Sequence, residues 1–272
     1  MLYWINILAY LLSLVLSFVA TPYILNMLIE NKCVCLNYRE ESIPISVGLL
    51  FIIVQTITCS SISILGEIEI EKTMIYLVAF ILIGLVGLLD DLVGDKKVKG
   101  FRGHIISLFK GKLTTGGLKA SVGFLVSLIV SLSISKNIYE IVLNTLLIAL
   151  FTNLINLFDL RPGRAGKVFI GISVVLLFTS KIKGLSIILF SLLGILTRYL
   201  PIDLKAKGMM GDIGSNSLGI TLGIYCALTH TIYAKIIYLC LLIIIQLASE
   251  FISFSKLIEK NKILRFIDNL GR

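Results

Sequence analysis

The chain has 272 residues, of which 57% are hydrophobic and only 15% charged, and its mean hydropathy is +0.99. These figures exclude a water-soluble domain, a disordered tail and a collagen-like segment, and they describe a polytopic membrane protein. A formal charge of +9 would point to nucleic acid in a soluble chain, but here the cations are topology signals first and no nucleic-acid partner is expected.

A bilayer core of about 30 Å takes about 20 apolar residues per helix. Cutting the chain at its polar punctuation predicts nine spans, near 2–29, 45–66, 73–89, 118–134, 138–158, 168–180, 185–200, 218–233 and 236–253. The first lacks a positive n-region and is longer than a signal-peptide core, so it reads as a retained helix. Loops 30–44, 90–117, 159–167, 198–217 and the tail from 254 carry nineteen basic residues. The opposite connections carry five: Lys72, Lys136, Lys181, Lys183 and Lys235. The positive-inside rule then puts the N-terminus outside and the C-terminus in the cytoplasm. The expected fold is an all-α polytopic transmembrane helix bundle of about nine spans. It forms a single integral-membrane domain, 1–272, with cytoplasmic loops 90–117, 159–167 and 198–217. Cys59, Cys226 and Cys240 lie in apolar runs and Cys33 and Cys35 in a short loop, so no disulfide framework is expected.

Carboxylates at membrane depth are expensive and usually functional. Asp90 and Asp91 end the third span, Asp159 ends the fifth, and Asp212 lies in Gly211-Asp212-Ile213-Gly214-Ser215. All four fall on the cytoplasmic side, interleaved with Lys96, Lys97, Lys99, Arg102, Lys110, Lys112, Arg161, Arg164, Lys205 and Lys207. Carboxylates among cations suit a polyphosphate held on Mg²⁺, a hard cation that takes one or two carboxylates, phosphate oxygens and water. Each piece also has a plainer reading. Asp90-Asp91 can mark a helix end entering water. Asn153 and Asn156, one helical turn apart with Asp159 on the same face, can be interhelical hydrogen-bond partners. The glycine-rich segment at 211–219 can be a turn and helix start with Ser215 as N-cap. His230 falls on the outer side, away from every carboxylate. His104, in the basic loop, can touch phosphate or move a proton, and the cations from Lys96 to Arg102 can equally be a lipid-headgroup anchor.

Taken together, three motifs resemble the polyprenyl-phosphate N-acetylhexosamine-1-phosphate transferases, the superfamily of phospho-MurNAc-pentapeptide and GlcNAc-1-phosphate transferases. They are Asp90-Asp91, Asn153-Leu154-Ile155-Asn156-Leu157-Phe158-Asp159, and Gly211-Asp212-Ile213-Gly214-Ser215-Asn216-Ser217-Leu218-Gly219. Pro44-Ile45-Ser46-Val47-Gly48 is similar to the family's Pro-x-x-Gly-Gly with one glycine replaced. The resemblance implies transfer of a sugar-1-phosphate from a UDP-sugar to polyprenyl phosphate at the cytoplasmic membrane, with UMP released and Mg²⁺ required, in cell-wall or surface-polymer synthesis. It implies Asp212 as metal ligand and Asp90 and Asp91 positioning or deprotonating the lipid phosphate. Asn156 and Asp159 orient the nucleotide sugar, and Lys119 contacts phosphate. Asn153, Arg161, Arg164 and His104 complete the expected substrate-binding set, the arginines at i and i+3 as a phosphate fork. The chain departs from the family in lacking a histidine-rich loop near the C-terminus. In place of Asp-Gly-x-Asp-Gly it has Asp159-Leu160-Arg161-Pro162-Gly163-Arg164. It is shorter than members of ten or eleven helices, as a divergent branch would be. The alternatives are a non-catalytic member that binds polyprenyl phosphate or UDP-sugar, and a transporter or flippase. Membrane lipid is a partner in every case, and the sequence leaves a homodimer open.

Overall fold

The computed structural model describes residues 2–66, 68–94, 114–182 and 184–272. Among them, nine long helices follow one another: α1 Leu2–Glu30, α2 Leu49–Leu65, α3 Ile70–Val93, α4 Thr115–Ile134, α5 Ile138–Phe158, α6 Arg164–Thr179, α7 Ile187–Leu204, α8 Gly211–Thr229 and α9 Ile232–Phe251. Two short helices, α10 Phe254–Lys260 and α11 Lys262–Asn269, end the chain. Each predicted apolar segment overlaps one of the nine, though 218–233 starts inside α8 and runs on into the first residues of α9. Six helices (α1, α3, α4, α5, α7 and α9) are long and apolar enough to cross a membrane, and α2 is apolar but shorter.

The bundle is organised around α8, which is buried along almost its whole length and packs on α5 and α3, while α7 packs on α1. Between helices in lipid, where apolar transfer supplies no driving force, association depends on close approach of small residues and on polar contacts. Gly219 and Gly223 give α8 such a face. A Cβ on Gly219 would stand 2.5 Å from Thr152 Cα and one on Gly223 2.7 Å from Ile148 Cα, both on α5. Gly219→Val is therefore expected to destabilise the bundle by about 1–3 kcal/mol through overpacking, read as a lower unfolding temperature in detergent. Polar contact is supplied by Gln55, which donates to the Tyr76 hydroxyl and the Ile188 carbonyl, both at 2.9 Å, and accepts from Ser191 Oγ at 2.7 Å. α9 stays peripheral, burying only Lys235 and Leu242.

Three local expectations change. The fold is nearly all-α, because the loop 30–44 contains a hairpin, β1 Val34–Leu36 paired antiparallel with β2 Ser42–Pro44 in the register Cys35↔Ile43. Its turn is closed by Asn37 Oδ1, which accepts from the backbone N–H of Arg39 and Glu41 at 2.8 and 3.0 Å. The polar segment expected from 198 begins later, since α7 runs through Pro201 to Leu204. Arg198 stays in that helix by laying its guanidinium over the Phe18 ring of α1, 4.9 Å from the centroid. Finally, α8 starts at Gly211, so Ser215 lies inside the helix and is not its N-cap.

Candidate active site

The ends of α3, α5, α7 and α8 and the β-hairpin meet around one cavity of about 670 Å³. Five carboxylates line it: Asp90 and Asp91 from α3, Asp159 after α5, Asp203 from the last turn of α7, and Asp212 from the first turn of α8. Arg161, Asn37 and Tyr38 complete the polar wall.

The two members of the Asp90-Asp91 pair have different surroundings. Asp91 Oδ1 accepts from the backbone N–H of Asp212 at 2.7 Å, and Oδ2 accepts from Ile213 N at 3.4 Å and from Ser46 Oγ at 2.9 Å. Asp91 thus satisfies the first N–H groups of α8, whose positive end favours an anion there. Two features bring the carboxylate so close. Gly87, one turn earlier on α3, lies against α8, where an added Cβ would be 2.6 Å from the Asp212 carbonyl carbon. Gly211 has φ of +70°, and any Cβ on it would fall 2.2 Å from Asp91 Oδ2. Ser46 reaches Asp91 from a left-handed backbone with φ of +64°. The flanking segment holds it there, Val47 and Gly48 donating to the carbonyls of Met209 and Met210 at 3.0 Å. Asp90, by contrast, turns its carboxyl toward Asp212 within hydrogen-bonding reach.

Asp212 Oδ2 forms an ion pair with Lys119 Nζ at 2.8 Å, carried in from the first turns of α4. Asn156 locks the pair from α5. With its side-chain amide turned to the orientation that satisfies both ends, it donates to Asp212 Oδ1 at 2.7 Å and to Ser215 Oγ at 3.0 Å, and its oxygen accepts from Lys119 Nζ at 3.1 Å. Residues from three helices, predicted separately as a metal ligand, a nucleotide contact and a phosphate contact, are thus one hydrogen-bonded unit.

Asp159 follows α5 into the same cavity. Enclosure there, and then the negative charges of Asp203, Asp212 and Asp91, hold its carboxyl well above the ordinary carboxylate range, with Lys119 pulling the other way. Asp203 Oδ2 accepts from Gly163 N at 3.0 Å and so fixes the connection after Asp159.

The remaining expected residues lie elsewhere. Asn153 donates to Gln246 Oε1 on α9 at 2.7 Å, an interhelical bond outside the cavity. The arginine fork is not built: Arg161 faces Glu259 Oε1 at 3.6 Å, and Arg164, 4% exposed, is bound by the helix pair α10–α11, the C-terminal hairpin. Arg164 Nε and Nη2 each donate to Asp268 at 2.8 Å, and Nη1 donates to Ser255 Oγ at 2.9 Å. Arg164 is thus a clamp for the C-terminus, because its bidentate geometry is consumed by one carboxylate. His104 and the cations from Lys96 to Lys112 lie outside the described residues. His230 closes α8 at the far end, with Thr179 Oγ1 at 3.0 Å from Nε2.

Burial raises the Asp268 carboxyl, but hydrogen bonds and charge from Arg164 and Arg272 outweigh it and hold it below the ordinary carboxylate range. A depressed folded-state value contributes stability that is complete above the unfolded value of about 3.9 and is lost as pH falls through the folded one. Docking of the hairpin is accordingly expected to be pH-independent from neutrality to about pH 4 and to weaken below it. Protease cleavage after residue 254, followed against pH, reads this directly, and Asp268→Asn should expose the hairpin already at neutral pH.

The sequence pattern of glycosyl transferase family 4 matches residues 73–230, more than half of the chain. The chain belongs to that family. Glycosyl transferase family 4 residues thus include all five cavity carboxylates, Lys119 and Asn156, while the β-hairpin and α10–α11 lie outside the matched range. Similar proteins are the phospho-N-acetylmuramoyl-pentapeptide-transferase of Thermotoga neapolitana and that of Prochlorococcus marinus. The first is 25% identical over 265 residues, covering 93% of this chain and 85% of the relative. The second is 32% identical over 122 residues, covering 42% and 34%. This family 4 member, with its apolar helices, is a multi-pass membrane protein.

Among the described residues, no three side chains of the metal-binding types gather into a ready-made cage. The donor set nevertheless fits Mg²⁺, which asks for one or two carboxylates and takes its other ligands from phosphate and water. Asp212 supplies such a carboxylate beside an open cavity. Sequence reading missed Asp203 and Ser46. Asp203 was legible by the rule that selected the others, an acid at an apolar helix end; Ser46 lies in the Pro44–Gly48 motif, but at a position that the motif leaves open.

Proposed function

We propose that this family 4 member transfers a sugar-1-phosphate from a UDP-sugar to polyprenyl phosphate and releases UMP. The observation that carries the reading is the Asp212–Lys119–Asn156 unit with Asp90 beside it, opening on a cavity of a size suited to a nucleotide sugar. In the reaction an oxygen of the lipid phosphate forms a bond to the β-phosphorus of the UDP-sugar. The bond from that phosphorus to the bridging oxygen breaks, and UMP leaves with the electron pair. Asp212 would hold Mg²⁺, which when bound supplies positive charge to the diphosphate oxygens.

The protein's own residues do the rest. Lys119 neutralises phosphate charge beside Asp212, and Asn156 keeps both in place. Asp91 is committed to the start of α8, which leaves Asp90 to position the lipid phosphate and take its remaining proton. Asp159 orients the nucleotide sugar and Arg161 offers a cation at the rim. The uneven distribution of Lys and Arg supports a bundle of about nine spans with the N-terminus outside, so that this cavity faces the cytoplasm of a bacterial-type cell membrane. A transporter would place its acids near mid-membrane, whereas those of the cavity gather at one end of the bundle.

Purified protein in detergent with undecaprenyl phosphate, Mg²⁺ and a panel of UDP-sugars tests the proposal. UMP is expected with one member of the panel, and its identity names the sugar. Folded protein that binds a UDP-sugar and releases no UMP over the panel would instead be a non-catalytic member.

A further inference from the structure

The tail that reads in the sequence as a run of cations folds into α10 and α11. On α11, Ile263, Phe266, Ile267 and then Leu270 recur at helical spacing and form one stripe. All four are exposed, Ile263 to 71% and Phe266 to 68%. The helix is not free to turn this stripe inward. Its Asp268 is gripped by Arg164 and Arg272, and the carbonyls of Ile267 and Asp268 accept from Lys167 Nζ at 3.0 and 2.7 Å. The stripe is therefore presented outward by design of the clamp.

Two observations say what covers it. Lys256, Lys260, Lys262 and Arg265 are all exposed around the hairpin, and Lys262, Arg265, Phe266 and Leu270 line one shallow recess, cations beside an apolar floor. The hairpin also continues directly from α9, on which Ile244, Leu247 and Phe251 are exposed at helical spacing. A short helix with cations flanking an apolar stripe, at the end of a lipid-facing helix, has the form of an interfacial segment. We propose that α10–α11 lie in the plane of the bilayer interface and bind anionic phospholipid, with the stripe among acyl chains and Lys262 and Arg265 on headgroup phosphates. A zwitterionic lipid surface would leave these cations without net counter-charge.

The seat is coupled to the cavity. Arg161 and Pro162 line the cavity, and both hold the hairpin, Arg161 through Glu259 and the Pro162 carbonyl through Arg272 Nε at 2.8 Å. The inference rests on the membrane setting alone and not on the transfer chemistry.

The test uses the full chain with Phe266→Trp in a Trp4→Phe background, reconstituted in nanodiscs whose acyl chains are brominated near the headgroup. Bilayers of phosphatidylcholine with and without phosphatidylglycerol are compared. Bromine quenching of the reporter is expected in both, and more strongly with phosphatidylglycerol. Lys262→Glu with Arg265→Glu is expected to remove that increment, since each cation near an anionic surface changes partition by about fivefold. Circular dichroism of the charge-reversed protein checks that the bundle is unchanged, and Ile263→Trp serves as reporter if Phe266→Trp does not fold. Water-exposed, unquenched emission overturns the proposal. So does blue-shifted emission that bromine does not quench, which would mean that protein covers the stripe. Equal quenching in the two lipids overturns the anionic specificity.

Discussion

Asp212→Asn is expected to lower turnover by at least about 10³-fold while leaving the protein folded, because the charge stabilisation that Asp212 carries in its proposed role as metal ligand is worth several kcal/mol. The amide is the same size as the carboxylate and its one oxygen can still accept from Lys119, so the packing at the start of α8 is kept while the bond from the Asn156 amide is given up. What is lost is negative charge at a carboxylate bonded by residues from two other helices. Steady-state UMP release and thermal unfolding, measured on the same preparation, separate the two consequences. A variant that keeps more than a tenth of the parent rate would show that Asp212 does not hold the ion.

The second large effect is a division of labour within Asp90-Asp91. Asp91→Ala leaves the N–H groups of Asp212 and Ile213 and the Ser46 hydroxyl without their acceptor, and is expected to destabilise the protein by about 2–4 kcal/mol. Because α8 then loses its anchor, Asp212 moves and activity falls with stability. Asp90→Asn is expected to leave the unfolding temperature within a degree or two and to reduce turnover by about 10²-fold or more, as loss of a general acid–base group does. Equal loss of stability in both variants would contradict this division, as would an Asp91→Ala protein as stable as the parent.

Long apolar runs made the helices legible, since each interruption of nonpolar sequence marks a place where the chain must leave the membrane. Asp90, Asp91, Asp159 and Asp212 were legible for a related reason: a carboxylate at a membrane boundary is costly enough to be noticed. Their different environments were not, because Asp91 is distinguished from Asp90 by the approach of α8, 121 residues away in sequence, and of Ser46, 45 residues away. The same distance effect hides Arg164. Beside Arg161 it reads as half of a phosphate fork, and only the return of Asp268, 104 residues later, makes it a clamp. Strands of three residues are too short to show alternation, so the hairpin at Val34–Pro44 leaves no trace in the hydropathy. Asn153 and Asn156 share a helical face by spacing, yet α9 and α8 approach that face from different sides and divide them.

The central claim concerns which bond breaks, and the nucleotide by-product reports it most directly. Purified protein turning over its UDP-sugar with undecaprenyl phosphate should release UMP and form a lipid whose mass includes both phosphates and the sugar, and chelation of Mg²⁺ should stop both. Release of UDP with a monophosphate-linked lipid would mean that the sugar alone moves, and would contradict the attack on the β-phosphorus assigned to this cavity.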